Sequence, residues 1–167
     1  MKALFMTAFM WLICIESFAS SAVWDRWKTV GESQLTWGFW VIYDSELRTP
    51  EGIYSPEQSQ LALKITYRRN IDKDDLLQAT DDQWKHLGIK ENRREIWLSE
   101  LAGIWPDIRK GDHLLFVLNN GEGFFYQAGK LLGSSIENEH AKAFVDIWLS
   151  DETAYPGLRD QLTGMRE

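Results

Sequence analysis

GKLLGSSIENEHAKAFVDIWLSDETAYPGLRDQLTG, residues 129–164, sets the reading of this chain. A short glycine-bounded strand leads into a helix over about 137–149, and Ser134-x-x-Glu137 offers it a capping box. The helix runs out through Ile147, Trp148, Leu149 and Ser150; a polar break and Pro156 follow. A last amphipathic turn then forms around Leu158 and Leu162. Immediately upstream, 112–118 (DHLLFVL) and 123–128 (GFFYQA) are two apolar strands joined through Asn119-Asn120-Gly121, a strong hairpin signal.

Working outward, Arg93 to Trp105 is a helix with Trp97, Leu101, Ile104 and Trp105 on one stripe, closed by Pro106. Before it, Asp72, Asp74 and Asp75 mark a helix start, where carboxylates favour the positive end of the dipole. Thr80-x-x-Gln83 offers a further capping box, and Gly88 sits where that helix stops. Residues 60–68 (QLALKITYR) alternate Leu61, Leu63, Ile65 and Tyr67 against Ala62, Lys64, Thr66 and Arg68, a half-buried strand. Residues 34–44 (QLTWGFWVIYD) alternate too and read as one strand, apolar on much of both faces, with Trp37 and Trp40 on opposite sides. Thr49-Pro50-Glu51-Gly52 is turn chemistry. The mixture is α+β: an antiparallel sheet with helices packed on one face.

The first residues bear on the compartment. Lys2 precedes an uncharged apolar run over 3–15, and Ser17 to Ala22 supplies small residues for cleavage near Ala22. This is the layout of a secretory signal peptide over 1–22, too short to span a bilayer comfortably. Ile13 before Cys14 rules against a lipid anchor, which needs a small residue there. The expected product is one domain over 23–167, periplasmic or secreted, without a membrane span. The net charge of −7 is unaltered by losing Lys2 and Glu16. Cys14, the single cysteine, leaves with the leader, so no disulfide or thiol chemistry is expected. An acidic balance without basic clusters argues against nucleic acid and against anionic membrane surfaces.

Few catalytic patterns are present. His86, His113 and His140 have no i, i+4 pairing, and the spacing predicts His86 and His140 on helix surfaces and His113 at a strand start. No metal site or cofactor is expected. The aspartates lack the spacing of a calcium loop, Gly121-x-Gly123 falls inside a hairpin instead of a dinucleotide fold, and G-x-S-x-G is missing. The unusual part is the aromatic content, with nine tryptophans of which only Trp11 lies in the leader. A wide aromatic surface including Trp37 and Trp40, with Tyr43, Tyr67, Arg68 and Arg69 at its margin, suits an apolar molecule with a polar end. The plainer alternative is core packing with polar ends reaching water.

Four blocks in order, VIYDSELRTPEGIY (41–54), LALKITYRRNI (61–71), LAGIWPDIRKGD (101–112) and 129–164, resemble the chalcone isomerase-like family, in particular its bacterial secreted branch. The resemblance covers residues 30 to 164 and implies an open-faced β-sandwich of chalcone isomerase type. It also implies a ligand cleft between sheet and helices, where enzymes of the family close a chalcone ring and other relatives hold a fatty acid. The enzyme's working residues do not carry over. Ser33 stands in the place of its arginine, and Tyr43 and Ile147 stand where it has threonines. The stretch 72–79 has no tyrosine to match the one the enzyme uses. A serine lacks the permanent charge that steadies a phenolate or carboxylate.

The reading is therefore a non-enzymatic exported protein that binds an apolar or fatty-acid-like molecule, with no catalytic residues assigned. Trp37, Trp40, Tyr43, Asp44, Tyr67, Arg68 and Arg69 are the candidate contacts. Alternatives are an isomerase or lyase using Tyr43 and Asp44, or Arg68 or Arg69, and a periplasmic protein-interaction module.

Overall fold

The computed structural model describes residues 23–165; the expected leader over 1–22 lies outside the described residues. Six strands form one antiparallel meander in chain order: β1 (Lys28–Trp37), β2 (Trp40–Thr49), β3 (Gln60–Tyr67), β4 (His113–Asn119), β5 (Glu122–Gln127) and β6 (Lys130–Ile136). Two helices, α1 (Lys73–His86) and α2 (Glu91–Ile104), fill the connection from β3 to β4. Two more, α3 (Asn138–Leu149) and α4 (Pro156–Thr163), follow β6. This is the α+β layer arrangement that the sequence pattern predicts, an open sheet with helices on one face.

Strand alternation decides which side of the sheet is the core. On β3, Leu61, Leu63, Ile65 and Tyr67 join the buried cluster, as do Leu114, Phe116 and Leu118 on β4 and Phe125 on β5. Trp84 of α1, Leu101 of α2, Phe144, Ile147 and Trp148 of α3 and Leu162 of α4 meet them from the helix side. Helix α3 is the most deeply set, because its apolar positions at 141, 144, 145, 147, 148 and 149 leave little of its circumference polar. The opposite sheet face carries Gln34, Asp44 and Arg68, joined by side-chain hydrogen bonds through Asp44. Near the other edge of that face, Trp24 packs 4.6 Å from Tyr126.

Several boundaries differ from the sequence pattern for physical reasons. The alternating run 34–44 is not one strand but a hairpin: β1 ends at Trp37, Gly38 takes φ 59°, and β2 starts at Trp40. A Gly-Phe turn lets the aromatic pattern run through the reversal with no polar residue to announce it. Trp37 and Trp40 are direct cross-strand partners, so they share a side of the ribbon and do not take opposite faces. Thr80 is not a cap; it lies inside α1 and donates its hydroxyl to the Leu76 carbonyl at 2.9 Å. Ser134 belongs to β6, and α3 starts after Glu137 with no side-chain cap. The α1 N-terminus is satisfied from a distant segment: the Lys73 backbone N–H donates to the Asp107 carboxylate at 2.9 Å.

One glycine fixes how the last helix sits. A side chain at Gly31 on β1 would place its Cβ 2.0 Å from the Gln161 carbonyl oxygen of α4. The hydrogen there lets the α4 backbone lie directly against the edge strand.

Candidate functional site

Between the sheet and the helices lies an apolar cavity of about 150 Å³. Tyr43 from β2 and Tyr67 from β3 reach it from the sheet side, and their rings meet edge to face at 6.1 Å. Phe144, Ile147 and Trp148 of α3 and Trp105 after α2 line it from the helix side. Helix α1 supplies Asp75, Leu76, Ala79, Thr80 and Gln83, spaced so that all face the same way. Asp75 and Ala79 are exposed, so this wall leads from the cavity to solvent. Larger hollows exist, such as one of about 550 Å³ over the outer sheet face lined by Glu32, Asp44, Glu46, Lys64 and Arg68. They are open surface troughs with charged linings, poor places to desolvate an apolar molecule.

The polar groups of the cavity are few and defined. The Trp148 indole donates to the Tyr43 hydroxyl at 2.9 Å. An indole N–H only donates, so Tyr43 accepts here and keeps its own proton to offer. Burial pushes the Tyr43 phenol well above its ordinary range, against the opposing effect of the Trp148 hydrogen bond. Tyr67, 3% exposed, is pushed the same way by burial and then by its neighbour Tyr43. Both therefore stay neutral donors at any physiological pH. The Trp105 indole Nε1 is buried with no hydrogen-bond partner among the described residues.

The candidate contacts separate into three places. Tyr43 and Tyr67 come together in the cavity. Asp44 and Arg68 lie on the opposite sheet face, where they form an ion pair with each other. The proposed proton-transfer pair of Tyr43 and Asp44 is thereby overturned, since successive strand residues point to opposite faces and only Tyr43 reaches the cavity. Trp37 and Trp40 stand at the β1–β2 tip, 81% and 63% exposed, with Phe39 fully exposed between them. Neither tryptophan lines the cavity. The Arg69 guanidinium carbon sits 4.9 Å from the Trp40 ring centroid, a cation–π contact at the foot of that tip.

Sequence reasoning missed Trp105, Trp148 and the inner wall of α1. The signal for the wall was available in the 75, 76, 79, 80, 83 spacing, but capping logic absorbed Thr80 and Gln83. It also misplaced His140, which is 1% exposed and not on a helix surface. Its ring stacks on Trp97 at 5.1 Å and meets Trp84 edge to face at 5.4 Å. Nδ1 lies 2.8 Å from Glu100 of α2, while Nε2 is buried without a partner among the described residues. Burial holds the imidazole below its ordinary pKa, partly countered by Glu100. No group of three or more potential metal ligands occurs among the described residues. Nor is any helix among them long and apolar enough to cross a membrane.

Comparison with known proteins places this architecture. The family model described as chalcone isomerase-like matches residues 43–164, and the chain belongs to that family. An uncharacterised protein of Haemophilus influenzae is 24% identical over 164 residues, covering 98% of this chain and 78% of that protein. The crystal structure of an Arabidopsis thaliana fatty-acid-binding protein is similar with a TM-score of 0.62 and 9% identity. The likeness covers 83% of this chain and 87% of that one, and it establishes a shared fold. Tyr43 and Ile147, which the family resemblance aligned with two threonines of the chalcone-closing enzymes, both line the cavity. Ser33, aligned with their arginine, is buried and hydrogen-bonded to Ser45 at 2.7 Å.

Proposed function

We propose that this protein binds a small apolar molecule, without transforming it, in the cavity between the sheet and helices α1 and α3. The observation that carries the reading is the cavity itself: apolar walls joined to a few neutral donors, from Tyr43, Tyr67 and Trp105. Apolar walls supply affinity, and a few placed polar groups orient the guest. Membership of the chalcone isomerase-like family supports it, as does the shared fold with a protein described as fatty-acid-binding. The resemblance puts Ser33 where the chalcone-closing enzymes have an arginine, and the cavity wall holds no histidine, arginine or lysine to move a proton or steady an anion.

Export belongs to the same proposal. A leader over 1–22, cleaved near Ala22, delivers the domain over 23–167 to the periplasm or beyond. The test is native mass spectrometry of protein purified from its own host, followed by denaturation and small-molecule analysis. A mass beginning at Val23 and a reproducible apolar adduct are expected. Ala79→Trp, at an exposed position beside the mouth, is expected to abolish the adduct while leaving the fold intact. A clean apo mass in the parent protein overturns the binding reading, and an uncleaved mass overturns export.

A second reading has its own observation, the exposed Trp37, Phe39 and Trp40 tip. Such a patch suits a protein partner. Loss of a co-purifying partner on Phe39→Ser, with the adduct retained, favours it.

A further inference from the structure

The dimensions and the chemistry of the cavity together narrow what it takes. A volume of about 150 Å³ accepts a single aromatic ring, as engineered apolar cavities of about that size do, whereas pockets for drug-sized ligands begin at about 300 Å³. An extended acyl chain exceeds such a space and would leave much of its length outside it. The charge pattern points the same way. Among the lining residues the only ionisable side chain besides the tyrosines is Asp75, and no cation is present. An anionic ligand would lose its hydration, find no counter-charge and meet a carboxylate at the α1 wall. A buried cation would be stripped of water with only the solvent-facing Asp75 to answer it.

What the cavity does offer is donors. Trp105 lines it with a buried N–H that nothing among the described residues accepts. Tyr67, 3% exposed, lines the cavity as well, and burial, then its neighbour Tyr43, keeps its hydroxyl in the neutral, donating form. Leaving a buried donor unpaired costs its desolvation, so an acceptor arriving with the ligand offsets the loss carried by the Trp105 N–H. We infer that the ligand is an uncharged molecule about the size of one substituted ring, carrying a hydrogen-bond acceptor that meets the Trp105 N–H and the Tyr67 hydroxyl. This rests on the ligand-binding reading above and departs from a fatty acid as the guest.

The test compares four probes on the purified protein by isothermal titration calorimetry: acetophenone, ethylbenzene, benzoate and palmitate. Acetophenone and ethylbenzene share size and shape and differ in the acceptor. Acetophenone is expected to bind about fivefold tighter than ethylbenzene, the worth of one net hydrogen bond. Benzoate and palmitate are expected to bind at least about tenfold more weakly than acetophenone, reflecting an unpaired buried charge. Trp105→Phe keeps an aromatic ring against Phe125 and Phe144 and should erase the acetophenone preference while retaining ethylbenzene. Tyr67→Phe provides the same comparison should Trp105→Phe not fold. Benzoate or palmitate binding as tightly as acetophenone overturns this inference alone, as does a preference that survives both substitutions. Failure of all four probes, ethylbenzene included, overturns the binding reading with it.

Discussion

Two aromatic regions lie a few residues apart on the same hairpin and share almost nothing physically. Tyr43 on β2 points into the core, holds a hydrogen bond from Trp148 and meets Tyr67 edge to face. Trp40, three residues earlier, stands at the tip opposite Trp37 with most of its ring in water. Residue type does not separate them, since both are large, flat and partly polar. The helix layer does: α3 covers the sheet at Tyr43, and the ribbon projects beyond the covered area at Trp37–Trp40. The lesson is that an aromatic run reports a capacity to bury surface, and the neighbouring layer decides whether the capacity is used.

The sharpest way to break that contrast is to truncate the layer that creates it. Phe144→Ala removes a ring packed against Phe116, Phe125, Trp105 and Trp148. Chemical denaturation should report a loss of about 3–5 kcal/mol. A loss under about 1 kcal/mol would mean that the core does not depend on α3 as described.

A smaller change targets one atom on the buried side. Tyr43→Phe leaves the Trp148 N–H buried without its acceptor, and unfolding free energy should fall by about 1–3 kcal/mol. Retention of full stability would show that water or another group replaces the hydroxyl.

A pH series tests the other buried aromatic stack. With the His140 pKa lowered by burial, the unfolded chain binds a proton more readily than the folded one. The stability is therefore fully present above about pH 6.5, the unfolded histidine value, and is lost as pH falls toward the lower folded value. His140→Gln should flatten this part of the profile; an unchanged slope would assign the acid sensitivity elsewhere.

The smallest expected effect lies at the tip. Trp37→Ala and Trp40→Ala should each shift stability by no more than about 0.5 kcal/mol, because little surface is buried there. A large loss on Trp40→Ala would give the Arg69 contact a structural role that its exposed position does not suggest.

Much of the fold was legible. Leu61, Leu63, Ile65 and Tyr67 alternate in the sequence and line one face in the structure, because a half-buried strand selects residues with period two. Asn120-Gly121 turned the chain between β4 and β5 where expected. Gly38-Phe39 was not legible, since no polar residue interrupts the aromatic alternation across the turn. Of the candidate contacts, Tyr43 and Tyr67 line the cavity, whereas Asp44 and Arg68, grouped with them, lie on the other face, where the same alternation sends them. Trp105 and Trp148 stayed hidden among so many tryptophans, because the orphaned N–H of Trp105 and the bond from Trp148 to Tyr43 are properties of their surroundings.

The sequence by itself determined the helices, most of the strands and the family resemblance, all of which rest on local periodicity and residue type. The tertiary structure alone decided what is empty and what is covered. A cavity of about 150 Å³ is the space left where β2, β3, α1 and α3 do not quite close. The same long-range packing capped α1 with Asp107, buried His140 between tryptophans and left the Trp37–Trp40 tip in water. These outcomes depend on distances between segments remote in the chain, and no local pattern of residues encodes such distances.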